Sequence, residues 1–365
     1  MMAKHIGILT ADGDSPGLNA AIRAFGKSAI GHHGYRITGF LDGFHGLQTN
    51  TAMEMSAGDF SGILTSGGTT LGTSRLKIDD LNPLIASLEE HKLDGLVCFG
   101  GKDTQYLAYR LKQAGVNVIT LPKSITNHIP KTDRCIGFDS ALTVAAESID
   151  RLHTTAHSHH RIIVVEIMGD DAGWLALGAG IAGGADVILI PEIPYHVDSV
   201  AETILERSRK GKRFSLVAVA EGAISEEDHQ FFLKAREVNQ FLRSGSDDYQ
   251  EVESQLMQLE EDFTGKTIDL AQRLNRATQL DTRITILGFL QRGGAPTATD
   301  RLLATTLGTS AALLAADSHW GVMAAMQGGE VVPVALEEVI RGEKPVPLDH
   351  PWVMSARAVG TNLGD

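Results

Sequence analysis

The stretch His5-Ile6-Gly7-Ile8-Leu9-Thr10-Ala11-Asp12-Gly13-Asp14-Ser15-Pro16-Gly17-Leu18-Asn19 sets the pattern for the whole chain. His5–Leu9 is a short apolar run ending in turn sequence, the mark of a buried strand. Asp12-Gly13-Asp14 reads as the turn, and from Asn19 to Ile30 apolar residues recur at helical spacing. A strand, a glycine turn and a helix start present backbone N–H groups to a phosphate chain. The bland alternative is a tight turn and nothing more, since glycine is the default residue there.

The unit repeats. Further strands are expected at Arg36–Phe40, Gly95–Phe99, Val118–Leu121, Ile162–Ile167, Asp186–Ile190, Leu216–Ala220 and Ile284–Leu287, with helical patterns at Asp103–Ala114 and Ser140–His153. That alternation predicts parallel sheets covered by helices, the doubly wound α/β class. Gly67-Gly68, Gly100-Gly101 and Gly183-Gly184 also follow strand ends. Ligands in open α/β sheets bind beyond the carboxyl ends of strands, so these turns suggest a cleft.

Composition narrows the partners. The 365 residues, 43% of them hydrophobic, suffice for two domains with a sizeable core. A net charge of -13 argues against nucleic acid, whose phosphates call for a basic face. Cys98 and Cys135 are the only cysteines, which suits a reducing compartment without a disulfide framework. Neither a signal peptide nor an apolar run of about 18 residues is visible, so a cytoplasmic protein without a membrane span is expected. After Glu221-Gly222 the composition turns to Glu, Gln, Asp and Lys. Glu226–Arg243 and Asp247–Ala277 read as surface helices, with Val252, Leu256, Met257, Leu259 and Phe263 at helical spacing. Such a stretch is a solvated flap, a lid or an oligomer contact.

Several motifs then share one resemblance. Pro122-Lys123-Ser124-Ile125-Thr126-Asn127-His128 resembles P-K/G-T-I-D-N-D, the catalytic loop of the phosphofructokinase family. Thr10 to Asn19 resembles the family's T-S-G-G-D-x-P-G-x-N, and Gly67 to Arg75 resembles G-G-T-x-L-G-S-x-R. Gly100-Gly101-Lys102-Asp103-Thr104 resembles G-G-D-G-S/T, or G-G-D-D-T in diphosphate-using members. His157 to Arg161 resembles S-S-H-x-R, Val164 to Asp170 resembles V-V-E-V-M-G-R, and Leu287 to Gly294 resembles L-G-H-x-Q-R-G-G. The likeness runs from Ile6 to about Ile340, apart from an insertion at about 225–278.

The resemblance implies two Rossmann-like domains: 1–137 with about 291–340 on the phosphoryl-donor side, and 138–290 with about 341–365 on the sugar-phosphate side. Gly13, Gly101, Asp103 and Thr104 would meet the donor phosphates, and Arg75 would bridge donor and acceptor. Ser124, Arg161, Met168, Gly169, Glu221, Arg283, Phe289 and Arg292 would form the sugar-phosphate site, with Arg161 reaching a neighbouring subunit in a dimer or tetramer. Arg23, Lys27, Lys210 and Lys212 fall where relatives gather an anionic effector. Lys123 and Asp103 point to a diphosphate-type lineage.

The substitutions are as informative as the matches. Thr126 stands at the position of the catalytic base and Lys102 at the Mg²⁺-organising acid, while Asp170 replaces an Arg and Phe289 a His. Loss of a general base costs about 10²–10⁴-fold. The reading is therefore a protein that binds fructose 6-phosphate or a similar sugar phosphate but is catalytically impaired, a candidate regulatory partner of an active paralogue. The alternative is an active 6-phosphofructokinase, with diphosphate or ATP as donor, in which His128 substitutes as base and Lys102 as counter-charge. A nucleotide or anion sensor is the weaker alternative. No metal site is expected, Mg²⁺ entering only through another ligand set. His153, His157, His159 and His160 have partly metal-like spacing but lack accompanying ligands.

Overall fold

In the computed structural model, which describes residues 3–76, 78–230 and 265–365, the opening stretch forms strand β1 (His5–Thr10) and helix α1 (Leu18–His33). Next come β2 (Arg36–Phe40), α2 (Phe44–Gln48), β3 (Ala52–Met55), α3 (Asn82–Glu90), β4 (Gly95–Gly100), α4 (Lys102–Gln113), β5 (Val118–Pro122) and α5 (Phe138–His159). The chain continues through β6 (Ile162–Ile167), α6 (Trp174–Ala182), β7 (Val187–Leu189), α7 (Val197–Arg209), β8 (Ser215–Ala220), α8 (Lys266–Thr278) and β9 (Thr282–Ile286). It closes with a 3-10 turn (Gly288–Arg292), α9 (Ala298–Ala316), β10 (Val322–Gln327), β11 (Glu330–Ala335), α10 (Leu336–Val339) and α11 (Pro351–Ala358). Among the described residues no helix is long and apolar enough to cross a membrane.

The chain divides into two units, Met1–Val144 with Phe289–Lys344, and Ala145–Gly288 with Pro345–Asp365. The first holds a seven-stranded sheet in the order β11-β10-β5-β4-β1-β2-β3. Its central strands are parallel, as alternation with helices requires, while β3 and β11 pair antiparallel at the two edges. Those antiparallel edges depart from the all-parallel expectation. Alternate residues of β1 serve opposite faces: Ile6 and Ile8 join Phe25 and Leu307, while Leu9 joins Leu96, Leu107 and Leu111. Each such fully buried side chain contributes about 1.5–3 kcal/mol, which anchors the turns at the strand ends. Helix α9 lies so close to α1 that a Cβ on Gly308 would fall 2.6 Å from the carbonyl oxygen of Ala21. A larger residue there would force the two helices apart.

The second unit holds a four-stranded parallel sheet in the order β7-β8-β6-β9. Helix α8 falls inside the segment read as an insertion, yet it packs on this sheet and on α7, burying Leu270, Ala271 and Leu274. Its end of the segment is therefore core and not flap. Residues 231–264 of that reading, including Val252, Leu256, Met257, Leu259 and Phe263, lie outside the described residues.

Candidate functional site

In the first unit the chain passes from β1 to β2 on one side and to β4 on the other. In a sheet wound this way the ligand crevice opens where the order reverses, at the carboxyl ends of β1 and β4. Gly13 follows β1, Gly101 follows β4, and Lys123 follows β5, the next strand out.

Three cations converge on the Gly13 turn. The segment before Arg75 is laced to it: the N–H of Asp12 donates to the carbonyl of Ser74 (3.2 Å) and the N–H of Gly13 to Oγ1 of Thr73 (3.1 Å). Asn19 holds the same segment further back, accepting from the N–H of Thr70 at 2.8 Å and donating to the carbonyls of Ser66 and Gly67. Gly13 has φ +81°, and a Cβ there would lie 3.6 Å from a guanidinium nitrogen of both Arg75 and Arg292. Lys123 is 4% exposed, and its ammonium donates to the carbonyls of Asp12 (2.6 Å) and Gly13 (2.8 Å). Burial pushes its pKa down to about 8; Arg292 and Arg75 push the same way, while Asp12 and Asp14 oppose. Phe289 lies against Arg292, its ring centroid 5.0 Å from the guanidinium carbon. Such a corner is suited to charge-assisted bonding of an anion.

Asp12 acts as a helix cap. Its Oδ2 accepts from the N–H (2.7 Å) and the hydroxyl (2.6 Å) of Thr104 at the start of α4. Lys102 and Asp103 are exposed on that first turn and line a cavity of about 160 Å³ with Tyr106, Ile129 and Pro130. Among the described residues no three His, Cys, Asp or Glu groups could hold a metal together. Lys102 supplies no ligand, so the residues present do not fit a protein-held Mg²⁺.

The loop after Lys123 folds back on itself. The N–H of Ser124 donates to the carbonyl of Ile136 (3.1 Å), and Asn127, at φ +54°, accepts from the N–H of Cys135 and donates to the carbonyl of Asp133. The fold-back gathers three side chains. Thr126 Oγ1 lies 2.7 Å and Ser124 Oγ 3.0 Å from Nδ1 of His128, and the two hydroxyls are 3.2 Å apart. Ser124, expected on the sugar phosphate, is thus engaged with His128. Behind this loop sits Asp300, a residue the sequence reading missed. It is 1% exposed and accepts from the N–H of Gly137 (3.0 Å) and from the N–H (2.8 Å) and hydroxyl (2.6 Å) of Ser140. Burial raises its pKa, and these hydrogen bonds oppose the rise. Its only sequence signal is Thr297-x-x-Asp300 at a helix start, where Thr297 caps the N–H of Asp300.

In the second unit, Met168 and Gly169 follow β6 and Glu221 follows β8, its neighbour. Glu221 N–H donates to the carbonyl of Ile167 (2.9 Å) and Gly222 N–H to that of Gly169 (2.9 Å), which fixes the shelf these residues form. Gly169 has φ +152°, and a Cβ there would lie 2.8 Å from the carbonyl of Ala172. Asp170 is exposed beside the shelf. Arg161 and Arg283 lie at the other end of the sheet. Both bind Oδ2 of Asp281, at 2.7 and 3.2 Å. The six residues of β6 separate the arginine pair from the shelf by about 20 Å at roughly 3.3 Å per residue. One copy of this unit cannot close both ends on one sugar phosphate.

The effector residues are not gathered within a unit. Arg23 and Lys27 stand on α1 of the first; Lys210 and Lys212 follow α7 in the second, where Lys210 pairs with Glu206 at 2.7 Å. In the second unit His153 also bonds the carbonyl of Gly183 through Nε2 at 2.6 Å.

A switch-point crevice lined by a glycine turn, a buried lysine (Lys123), a half-buried arginine (Arg292) and an exposed arginine (Arg75) is suited to an anion-handling α/β protein. Comparison with known proteins makes this specific. The sequence profile of the family described as phosphofructokinase matches residues 5–315. An ATP-dependent 6-phosphofructokinase of Propionibacterium freudenreichii subsp. shermanii is 50% identical, over 100% of both chains. A pyrophosphate--fructose 6-phosphate 1-phosphotransferase of Amycolatopsis mediterranei is 39% identical over 95% of this chain and 97% of its own. The T-state crystal structure of Pichia pastoris phosphofructokinase superposes with a TM-score of 0.79 at 30% identity, covering 93% of this chain, which spans 36% of that longer one. The chain belongs to the phosphofructokinase family.

Proposed function

We propose that this protein is a 6-phosphofructokinase-type phosphotransferase that moves a phosphoryl group to a hydroxyl of fructose 6-phosphate, with a hydroxyl–imidazole cluster in place of a carboxylate base. The observation that carries the reading is the 2.7 Å contact of Thr126 Oγ1 with His128 Nδ1, in the loop that follows the buried Lys123. With Nδ1 unprotonated, Thr126 takes the proton of the sugar hydroxyl as it passes its own to His128. The sugar oxygen then attacks the terminal phosphorus, and the bond from that phosphorus to the rest of the donor breaks. Arg75, Arg292 and Lys123 neutralise the charge on the transferring group, the main contribution a protein makes to this chemistry. Met168, Gly169 and Glu221 hold the sugar. The names of the relatives supply two donors, ATP and diphosphate, and support turnover over binding alone. Arg161 and Arg283 serve the sugar phosphate of a second copy of the chain, a reading supported by their distance along β6 from the shelf.

A second reading, binding of the sugar phosphate without turnover as a regulatory partner of an active paralogue, is favoured by Lys102 and Thr126 at the two acid positions. Turnover assays with fructose 6-phosphate and each donor separate the two. A turnover that His128→Ala abolishes supports the first reading. Sugar-phosphate binding with no turnover from either donor supports the second.

A further inference from the structure

We infer that Asp12 is a built-in anion that selects a short inorganic phosphoryl donor over a nucleotide. The inference rests on the anion corner of the proposed function and concerns what that corner admits. The turn after β1 has two chemically opposite sides. At Gly13 the atoms nearest a Cβ would be guanidinium nitrogens, those of Arg75 and Arg292, and the Lys123 ammonium is fixed on the carbonyls of Asp12 and Gly13. At Gly101, across the crevice, a Cβ would lie 3.2 Å from both Cβ and Oδ2 of Asp12. The carboxylate is held there by the N–H and the hydroxyl of Thr104, a residue that is itself fully buried.

Asp12 therefore occupies the amino end of α4, a twelve-residue helix whose partial positive charge it consumes. It keeps this seat although its backbone is at φ +62°, a conformation that favours glycine. The bulk of a carboxylate and its charge thus lie on the path from the Gly13 corner toward α4. A diphosphate can rest on the three cations alone. A longer chain, bearing a further phosphate and a nucleoside toward α4, meets a fixed negative charge and an N–H already spent.

Titration calorimetry on the full-length protein with inorganic diphosphate and with ATP, each with and without Mg²⁺, tests this. Wild type should bind diphosphate at least tenfold more tightly than ATP. Asp12→Gly, which also suits the backbone, should tighten ATP binding tenfold or more and change diphosphate binding less than threefold. Asp12→Asn keeps a carbonyl for Thr104 and loses the charge, so it should recover part of that gain even if the glycine variant folds poorly. ATP affinity unchanged in both variants, or equal to that of diphosphate in wild type, would overturn the inference and leave the proposed function standing. Failure of both anions to bind any of the three proteins would overturn both.

Discussion

The two units hold their clustered cations in different ways. In the first, the guanidinium groups of Arg75 and Arg292 lie beside Gly13, and the buried Lys123 is held by the carbonyls of Asp12 and Gly13. In the second, Arg161 and Arg283 share the carboxylate of Asp281 at the solvent-facing end of β6 and β9. In the first corner Lys123 is desolvated and held in place, at the cost of a depressed pKa. The second is pre-neutralised, so an arriving phosphate must displace an internal acid from an exposed pair. On the proposed function, that difference assigns the choice of anion to the corner around Lys123 and leaves the Arg161–Arg283 pair to add affinity.

Breaking the brace of the buried corner should have the largest effect on stability. Asp300→Ala strands three donors at Gly137 and Ser140, and urea denaturation should show a loss of about 4 kcal/mol. If the loss were well under 1 kcal/mol, the corner would not depend on that buried carboxylate. Next comes pH. The folded pKa of Lys123 is about 8 against an ordinary 10.5, so the unfolded chain holds more protons between those values. The cost of burying the charge is present below about pH 8 and is relieved as pH rises. From this residue stability should increase between pH 8 and 10.5 by up to about 3 kcal/mol. Over the same rise kcat/KM should fall, because the free enzyme loses the ammonium that meets the donor. Lys123→Met should remove the stability gain and the falling limb together; a limb that persists belongs to another group. The smallest change is expected at the exposed pair. Asp281→Asn should tighten sugar-phosphate binding two- to fivefold, the scale of an exposed ion pair, and looser binding would show that Asp281 aims the arginines.

The main lines of the fold were legible because β1, β4, β5, β6 and β8 are runs of apolar residues that end in turns. Three strands escaped for physical reasons. Ala52–Met55 is a four-residue edge with weak strand formers, and Val322–Gln327, with its partner Glu330–Ala335, follows an alanine-rich helix that blurs the period. The Gly328-Gly329 pair, at φ +59° and +91°, was the available sign of the β10–β11 hairpin. The site was legible wherever a motif fixed position, as at Gly13, Arg75, Lys123 and Arg292. It was not legible where the chain folds back. The meeting of Ser124, Thr126 and His128 depends on Asn127 taking a left-handed backbone and on Cys135 returning to bond it. The joint hold of Asp281 on two arginines depends on the pairing of β6 with β9. Neither is written in local spacing.

The central claim is that His128, through Thr126, removes the proton from the sugar hydroxyl. Steady-state turnover of fructose 6-phosphate with diphosphate, in wild type and His128→Ala, tests it most directly. The account predicts measurable wild-type turnover that falls about 10²-fold or more in the variant, with sugar-phosphate affinity unchanged. Equal turnover in the two proteins, or none in a wild type that still binds the sugar phosphate, would contradict it.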